Sequence, residues 1–197
     1  MKDLWPVRHA ETVTRAAQPM DPQALGAEAL FRAHAAFIAS FLHRLGTHPT
    51  EVEDLLQEVF IVAHRKGGYV PGPATPRSWL AAIAVRIAQA GRRAHKRREP
   101  AAGEVVELLK ASDADPAQRL EVRRSMERVQ RALDGMSFEQ RAVFVLFEIE
   151  GESCEEIAQA LHVPVGTIYS RLHHARRRFV NAYAAQHEPE AAAAGER

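Results

Sequence analysis

The chain of 197 residues carries 26 basic and 25 acidic side chains, a net charge of +1, with 46% hydrophobic residues and a single cysteine. That length holds one large or two small domains of ordinary globular composition, and Cys154 alone excludes an internal disulfide framework or a multi-cysteine zinc site. No apolar run approaches the roughly 20 residues of a membrane helix, and Met1-Lys2-Asp3-Leu4 does not open a secretory signal, so a reducing cytoplasm is expected. Charge is segregated along the chain. Basic residues crowd into Arg86–Arg98 and Arg171–Arg178, acidic ones into Glu51–Glu58, Glu104–Glu121 and Glu148–Glu156. These runs read either as separate surfaces for separate partners or as solvated helix faces.

Alternation is scarce and helical spacing recurs, which predicts an all-α protein. Residues 1–26, with Pro6, Pro19 and Pro22, read as a disordered N-terminal arm. Leu30, Phe31, His34, Ile38, Phe41, Leu42 and Leu45 then fall on one helical stripe that ends at Gly46. Thr50 with Glu53 reads as a capping box opening a second helix to about Lys66. Gly67 to Pro73 must be a loop. Thr75 caps a third helix with Pro76 at its first position; its apolar stripe is Trp79, Leu80, Ile83, Ile87 and Ala90. Residues 27–98 thus form a first helical domain, and 99–116 an acidic, alanine-rich linker. A second domain covers 117–184. Leu120, Met126, Val129 and Leu133 mark its first helix, Ser137 with Gln140 caps the next, and Gly151 stops it. Ser153 with Glu156 opens a short helix, His162-Val163 turns, and Pro164 starts a last helix through Val180. Residues 185–197 read as a disordered tail.

Ser153 to Phe179 is two helices joined by a short turn, the second basic. At about 100° per residue, Ile168, Leu172, Ala175 and Phe179 share an inward face. Gly166, Thr167, Ser170, His174 and Arg177 face outward, flanked by Arg171 and Arg178. Small polar groups at a helix start can approach base edges and long basic ones further on can reach phosphates, the division of labour of a recognition helix. An ordinary helix pair with a basic surface is the plain alternative. In the second helix, Val52, Leu55, Leu56, Val59 and Ala63 form the buried stripe. Asp54, Gln57, Glu58, Ile61 and Arg65 project away from it as a protein-binding patch or a solvated face. Opposite the third helix's stripe lie Val85, Gln89, Arg92 and Lys96, with Arg86 and Arg93 at its edge, suited to follow single-strand phosphates.

Gly151-Glu152-Ser153-Cys154-Glu155-Glu156-Ile157-Ala158 and Val163-Pro164-Val165-Gly166-Thr167-Ile168-Tyr169-Ser170-Arg171-Leu172 resemble the reader of the minus-thirty-five promoter element in bacterial sigma factors of the extracytoplasmic-function (ECF) group. Arg141-Ala142-Val143-Phe144 fits the same pattern. Glu53-Asp54-Leu55-Leu56-Gln57-Glu58-Val59-Phe60 and Trp79-Leu80-Ala81-Ala82-Ile83-Ala84 resemble that group's first domain independently. The resemblance implies a dissociable subunit of RNA polymerase that directs the enzyme to promoters and helps melt them. Asp54, Gln57, Glu58 and Ile61 would meet the polymerase clamp. The third helix, through Arg86, Gln89, Arg92, Arg93 and Lys96, and the loop around Tyr69 would hold the minus-ten element, with an unstacked base near Tyr69. Gly166, Thr167, Ser170, Arg171, His174, Arg177 and Arg178 would read the minus-thirty-five element, with the linker threading polymerase between the domains. An anti-sigma factor is a further partner the resemblance implies. Arg86, Ala90 and His174 stand where the group commonly has asparagine, aspartate and arginine, so promoter preference and melting should differ.

Other residues point elsewhere only weakly. Cys154, first in a capped helix, could be a redox switch, but Glu155 and Glu156 oppose a lowered pKa and a small packing residue is the plainer reading. The ten histidines show no metal spacing, and no cofactor is expected. A free-standing helix-turn-helix regulator lacks an obvious dimer helix, and a DNA-modifying enzyme would need a catalytic constellation that the first half does not show.

Overall fold

In the computed structural model, which describes residues 25–95 and 116–186, three helices precede and four follow the gap: α1 (Ala27–Arg44), α2 (Pro49–Arg65), α3 (Pro76–His95), α4 (Pro116–Asp134), α5 (Phe138–Phe144), α6 (Cys154–Leu161) and α7 (Val165–Ala184). The expected arm up to Asp21-Pro22-Gln23-Ala24, Lys96, nearly all of the linker and the tail from His187 lie outside the described residues. Among the described residues there is no strand, only an isolated bridge between Leu25 and Tyr69. Leu25, placed in the arm by sequence, exchanges both backbone hydrogen bonds with Tyr69, at 2.8 and 3.0 Å. Gly68 makes that closure possible: its φ is +88° and a Cβ there would collide with the Leu25 carbonyl.

Most helix starts follow local capping chemistry. Ser137 with Gln140 and Ser153 with Glu156 form reciprocal capping boxes, and the Thr75 hydroxyl accepts from the Ser78 N–H at 3.0 Å. α2 is the exception. Its cap is His48, whose ring accepts from the Thr50 N–H, and no Thr50–Glu53 box opens the helix. Pro49 brings its own helical φ and has no N–H to satisfy, so the helix begins one residue before Thr50. α7 likewise begins at Val165, because Pro164 has an extended ψ of 140° and serves as the cap.

α1, α2 and α3 pack on one another, and α4, α5 and α6 pack on or beside α7. Leu30, Ile38, Phe41, Leu42 and Leu45 of the α1 side are wholly buried. Phe31 departs from its expected stripe: it is about half exposed and sets its ring edge-on to Phe60, 5.0 Å between centroids. The front of α4 departs as well. Leu120 is 50% and Met126 51% exposed, because the helix meets the rest of its domain through Val129, Ala132 and Leu133 nearer its end. The two helical domains are not held apart. Their buried side chains form one continuous cluster from Leu30 to Ala175, and α3 lies against α6. Ala81, Ala82, Ala84 and Ala88 of α3 are all buried, small side chains that let a neighbouring helix approach closely.

Candidate nucleic-acid and polymerase interfaces

α6 and α7 form the helix-turn-helix. The Ser153 box starts α6, and His162 ends it in the left-handed region, at φ 56° and ψ 47°. Pro164 then restarts the chain as α7. Ile168, Leu172 and Ala175 are buried, and Phe179 stacks on Phe144 with ring centroids 4.8 Å apart. That inward face turns Gly166, Ser170, His174, Arg177 and Arg178 to solvent, with Thr167 and Arg171 half-buried at its margins. Small groups therefore sit at the helix start and long cations further along one open surface. Arg178 also donates to the Gly135 carbonyl at 3.1 Å. Arg176, in the same basic run, is used inside the fold: it pairs with Glu148 at 2.6 Å and lies over the Phe147 ring. Tyr169, not singled out by sequence, is 52% exposed beside Thr167 and Ser170, and its hydroxyl donates to Glu155 at 2.9 Å. An aromatic among the small polar residues of the helix start was the available signal.

On α2, Asp54, Gln57, Glu58 and Ile61 are all exposed, while Val52, Val59 and Ala63 are buried beneath them. The four form one outward patch, apolar at one corner and acidic elsewhere.

The residues expected to hold the minus-ten element are arranged differently. Arg86 is exposed, but Gln89 donates to Glu139 of α5 at 3.0 Å, and Arg92 lies over the Phe138 ring. The α3 face predicted to be free is thus partly covered by the second domain, which periodicity within α3 could not reveal. Arg93 is exposed and makes interactions of its own; Lys96 is outside the described residues. Tyr69 is only 4% exposed. Its hydroxyl donates to the Ala74 carbonyl at 2.6 Å and its ring meets Trp79 edge-on. In this arrangement Tyr69 shapes the loop and offers no stacking surface to a base.

The acidic run Glu148–Glu156 is consumed by the protein itself. Glu148 binds Arg176, Glu155 binds Tyr169, and Glu156 closes the Ser153 box. Glu150 and Glu152 reach across to the first domain. The Glu150 carboxylate accepts from Arg44 at 2.8 Å and from Arg77. Glu152, 3% exposed, accepts from the Thr75 and Ser78 hydroxyls, each at 2.7 Å, with Arg77 Nε 3.4 Å away. Burial, with help from the Glu155 charge, pushes the Cys154 thiol up to about 11, which removes the thiolate a redox switch needs. Among the described residues, no cluster of three or more His, Cys, Asp or Glu could hold a metal ion, and no helix is long and apolar enough to cross a membrane.

The sequence matches two family descriptions: Sigma-70 region 2 over residues 30–98 and Sigma-70, region 4 over residues 126–179. It is 36% identical over 165 residues to the ECF RNA polymerase sigma factor SigE of Mycolicibacterium smegmatis, an alignment covering 83% of this chain and 63% of that relative. Identity to the RNA polymerase sigma-H factor of Pseudomonas aeruginosa is 32% over 134 residues, covering 64% and 69%. Identity to the ECF RNA polymerase sigma-E factor of Escherichia coli is 30% over 141 residues, covering 66% and 73%. Among solved structures, the sigma factor RpoE from Bartonella quintana, in complex with the anti-sigma factor NepR, superposes with a TM-score of 0.59 at 21% identity, over 79% of this chain and 94% of that one. CnrH, in complex with the cytosolic domain of CnrY, gives 0.56 at 23%, over 81% and 88%. Both likenesses are of fold.

Proposed function

We propose a role from one established premise: this chain belongs to the extracytoplasmic-function group of RNA polymerase sigma factors. It binds core RNA polymerase, directs it to promoters and helps open them, and catalyses nothing itself. The observation that carries this reading is the open outward face of α7, with Gly166, Thr167 and Ser170 at its start and Arg171, His174 and Arg177 following, on a helix-turn-helix whose α6 is held by a capping box. That order suits base edges first and phosphates after. Core polymerase docks on the α2 patch of Asp54, Gln57, Glu58 and Ile61, and its clamp presents a basic surface there. Arg86, Gln89, Arg92, Arg93 and Lys96 follow the opened minus-ten strand. Arg86, Ala90 and His174 shift promoter preference away from the common pattern of the group. The protein works in the cytoplasm. One solved neighbour was captured with an anti-sigma factor, and an inhibitory partner of that kind is part of this proposal.

The docking patch gives the test. Glu58→Lys with Gln57→Ala sets like charge against a basic partner, a repulsion worth several kcal/mol across an interface. Binding to core polymerase and promoter-directed transcription in vitro should both be lost. Circular dichroism and Tm should hardly change, because both side chains are exposed. Normal polymerase binding and full transcription by the double variant would overturn this docking face and place the polymerase contact elsewhere on the chain.

A further inference from the structure

We propose that Tyr169 and Glu155 act as one specificity-determining pair on the helix-turn-helix. The pair is an acceptor-only unit that selects a base bearing an amino group, cytosine or adenine, at a single position in the major groove and disfavours guanine and thymine there. This inference rests on the proposed placement of α7 against DNA and deepens it.

The pair is assembled from two helices. Glu155 stands in the first turn of α6 and Tyr169 in the second turn of α7. The left-handed turn at His162 and the restart at Pro164 join the two helices tightly, and the Tyr169 hydroxyl donates to the Glu155 carboxylate at 2.9 Å. That bond, with smaller help from burial, raises the Tyr169 pKa from its ordinary 10, so the hydroxyl keeps its proton and directs it at Glu155. What the Tyr169 oxygen then offers outward is lone pairs, and an ionised carboxylate offers only lone pairs as well. Neither group has a proton left to give. Tyrosine has only two side-chain torsions and its hydroxyl is tethered, so the acceptors are held in place before DNA arrives.

The pair lies on the open face. At about 100° per residue, Gly166, Tyr169, Ser170 and His173 fall within one sector of the α7 surface, and all four are exposed. Tyr169 remains 52% exposed despite its bond. No packed neighbour among the described residues lies within 4 Å of where a Gly166 Cβ would stand, so the surface beside Tyr169 is open to a groove. The charge pattern singles out Glu155. α7 carries no acidic residue from Val165 to Ala184, and phosphates repel a carboxylate. A carboxylate brought to a nucleic-acid face from a neighbouring helix is favourable only where it meets a donor. In the major groove the donors are cytosine N4 and adenine N6, whereas guanine and thymine present oxygen acceptors in their place.

The test uses the full chain with core polymerase and a duplex pool randomised across the minus-thirty-five region, the bound fraction being sequenced. At one position, on one strand, the parent should favour cytosine or adenine over guanine or thymine about ten-fold, within the range of direct readout. Tyr169→Phe keeps the ring, removes the outward oxygen and frees Glu155, so the preference at that position should be lost while the others stay. Glu155→Gln still accepts from the tyrosine hydroxyl but adds an amide donor, so guanine or thymine should gain at the same position. It also preserves the contact between α6 and α7 should Tyr169→Phe lower Tm or helicity. A bond that merely staples the two helices would move Tm and leave the preference at one base pair alone. A parent with no such position, or preferences unchanged in both variants, would overturn the proposal. So would a loss spread evenly over all sequences, which marks phosphate contact. If the parent forms no complex with core polymerase, the sigma-factor reading falls, and the same pool with the full chain alone decides the pair. Selection of an amino base that both variants abolish then supports it, and no such selection overturns it.

Discussion

Two helices carry cations away from their apolar stripes, and the fold treats them differently. On α7 the outward face stays open, from Gly166 through Ser170 and His174 to Arg178. On α3 the corresponding face is shared with the second domain: Gln89 is tied to Glu139, and Arg92 sits on Phe138. The difference lies in the residues between the cations. α7 interleaves them with serine, tyrosine and histidine, side chains that keep a helix surface wet. α3 interleaves them with alanines, four of which are buried. Small residues leave room for another helix, so a basic helix with an alanine-rich middle can be a docking platform and a nucleic-acid surface by turns.

The largest expected effect separates the two helices by stability. Leu80 on α3 is wholly buried. Leu80→Ala should lower unfolding stability by about 2–5 kcal/mol, the range for removing a buried leucine side chain. His174→Ala on the open face of α7 should change it by under about 0.5 kcal/mol. Urea unfolding of both variants measures the contrast, and equal midpoints would break it.

The next effect is on recognition. Arg171 lies half-buried at the edge of the α7 face. If it reads a base, Arg171→Ala should weaken minus-thirty-five binding by about 1–3 kcal/mol and relax specificity at one position. If it meets only phosphate, the loss should be uniform across sequences and the salt dependence shallower. A salt series on matched and mismatched duplexes distinguishes these outcomes. Unchanged affinity in both would show that α7 is turned differently on DNA from the orientation drawn from its open face.

What could be read from sequence divides by distance along the chain. The boxes at Ser137–Gln140 and Ser153–Glu156 are four-residue signals, and the structure forms both. The inward face of α7 follows from helical period alone: Ile168, Leu172 and Ala175 are buried as predicted, and Phe179 is half-buried against the core. The start of α2 was misplaced because histidine is an uncommon cap. The burial of Tyr69 depends on Leu25, 44 positions earlier, and on Gly68 allowing the approach. The contact of Glu150 with the first domain lies beyond reach altogether. Arg44 and Glu150 are 106 positions apart, and nothing in an acidic run announces whether its carboxylates face water or another domain. Chemistry within one or two turns leaves a local pattern; a contact between domains does not.

The smallest effect concerns the ground between the two domains, where α1 carries two half-buried histidines. Burial, then the positive charge of Arg77, lowers the His34 pKa from its ordinary 6.5, against a weaker upward pull from Glu152. Burial and Arg44 lower His43 in the same way, with Asp134 opposing. A folded-state pKa below the unfolded value means the unfolded chain takes up protons first as pH falls. The stability these neutral imidazoles preserve is therefore fully present above about pH 6.5 and declines as pH drops through the histidine range. Unfolding midpoints should fall modestly from pH 7 to 5.5, and His34→Gln with His43→Gln should flatten that slope. Both lowering charges, Arg77 and Arg44, are also the cations that hold Glu150. A pH slope unchanged by the double substitution would show that the histidines do not sense the closed arrangement, and would leave α3's cover held by the carboxylates and apolar packing alone.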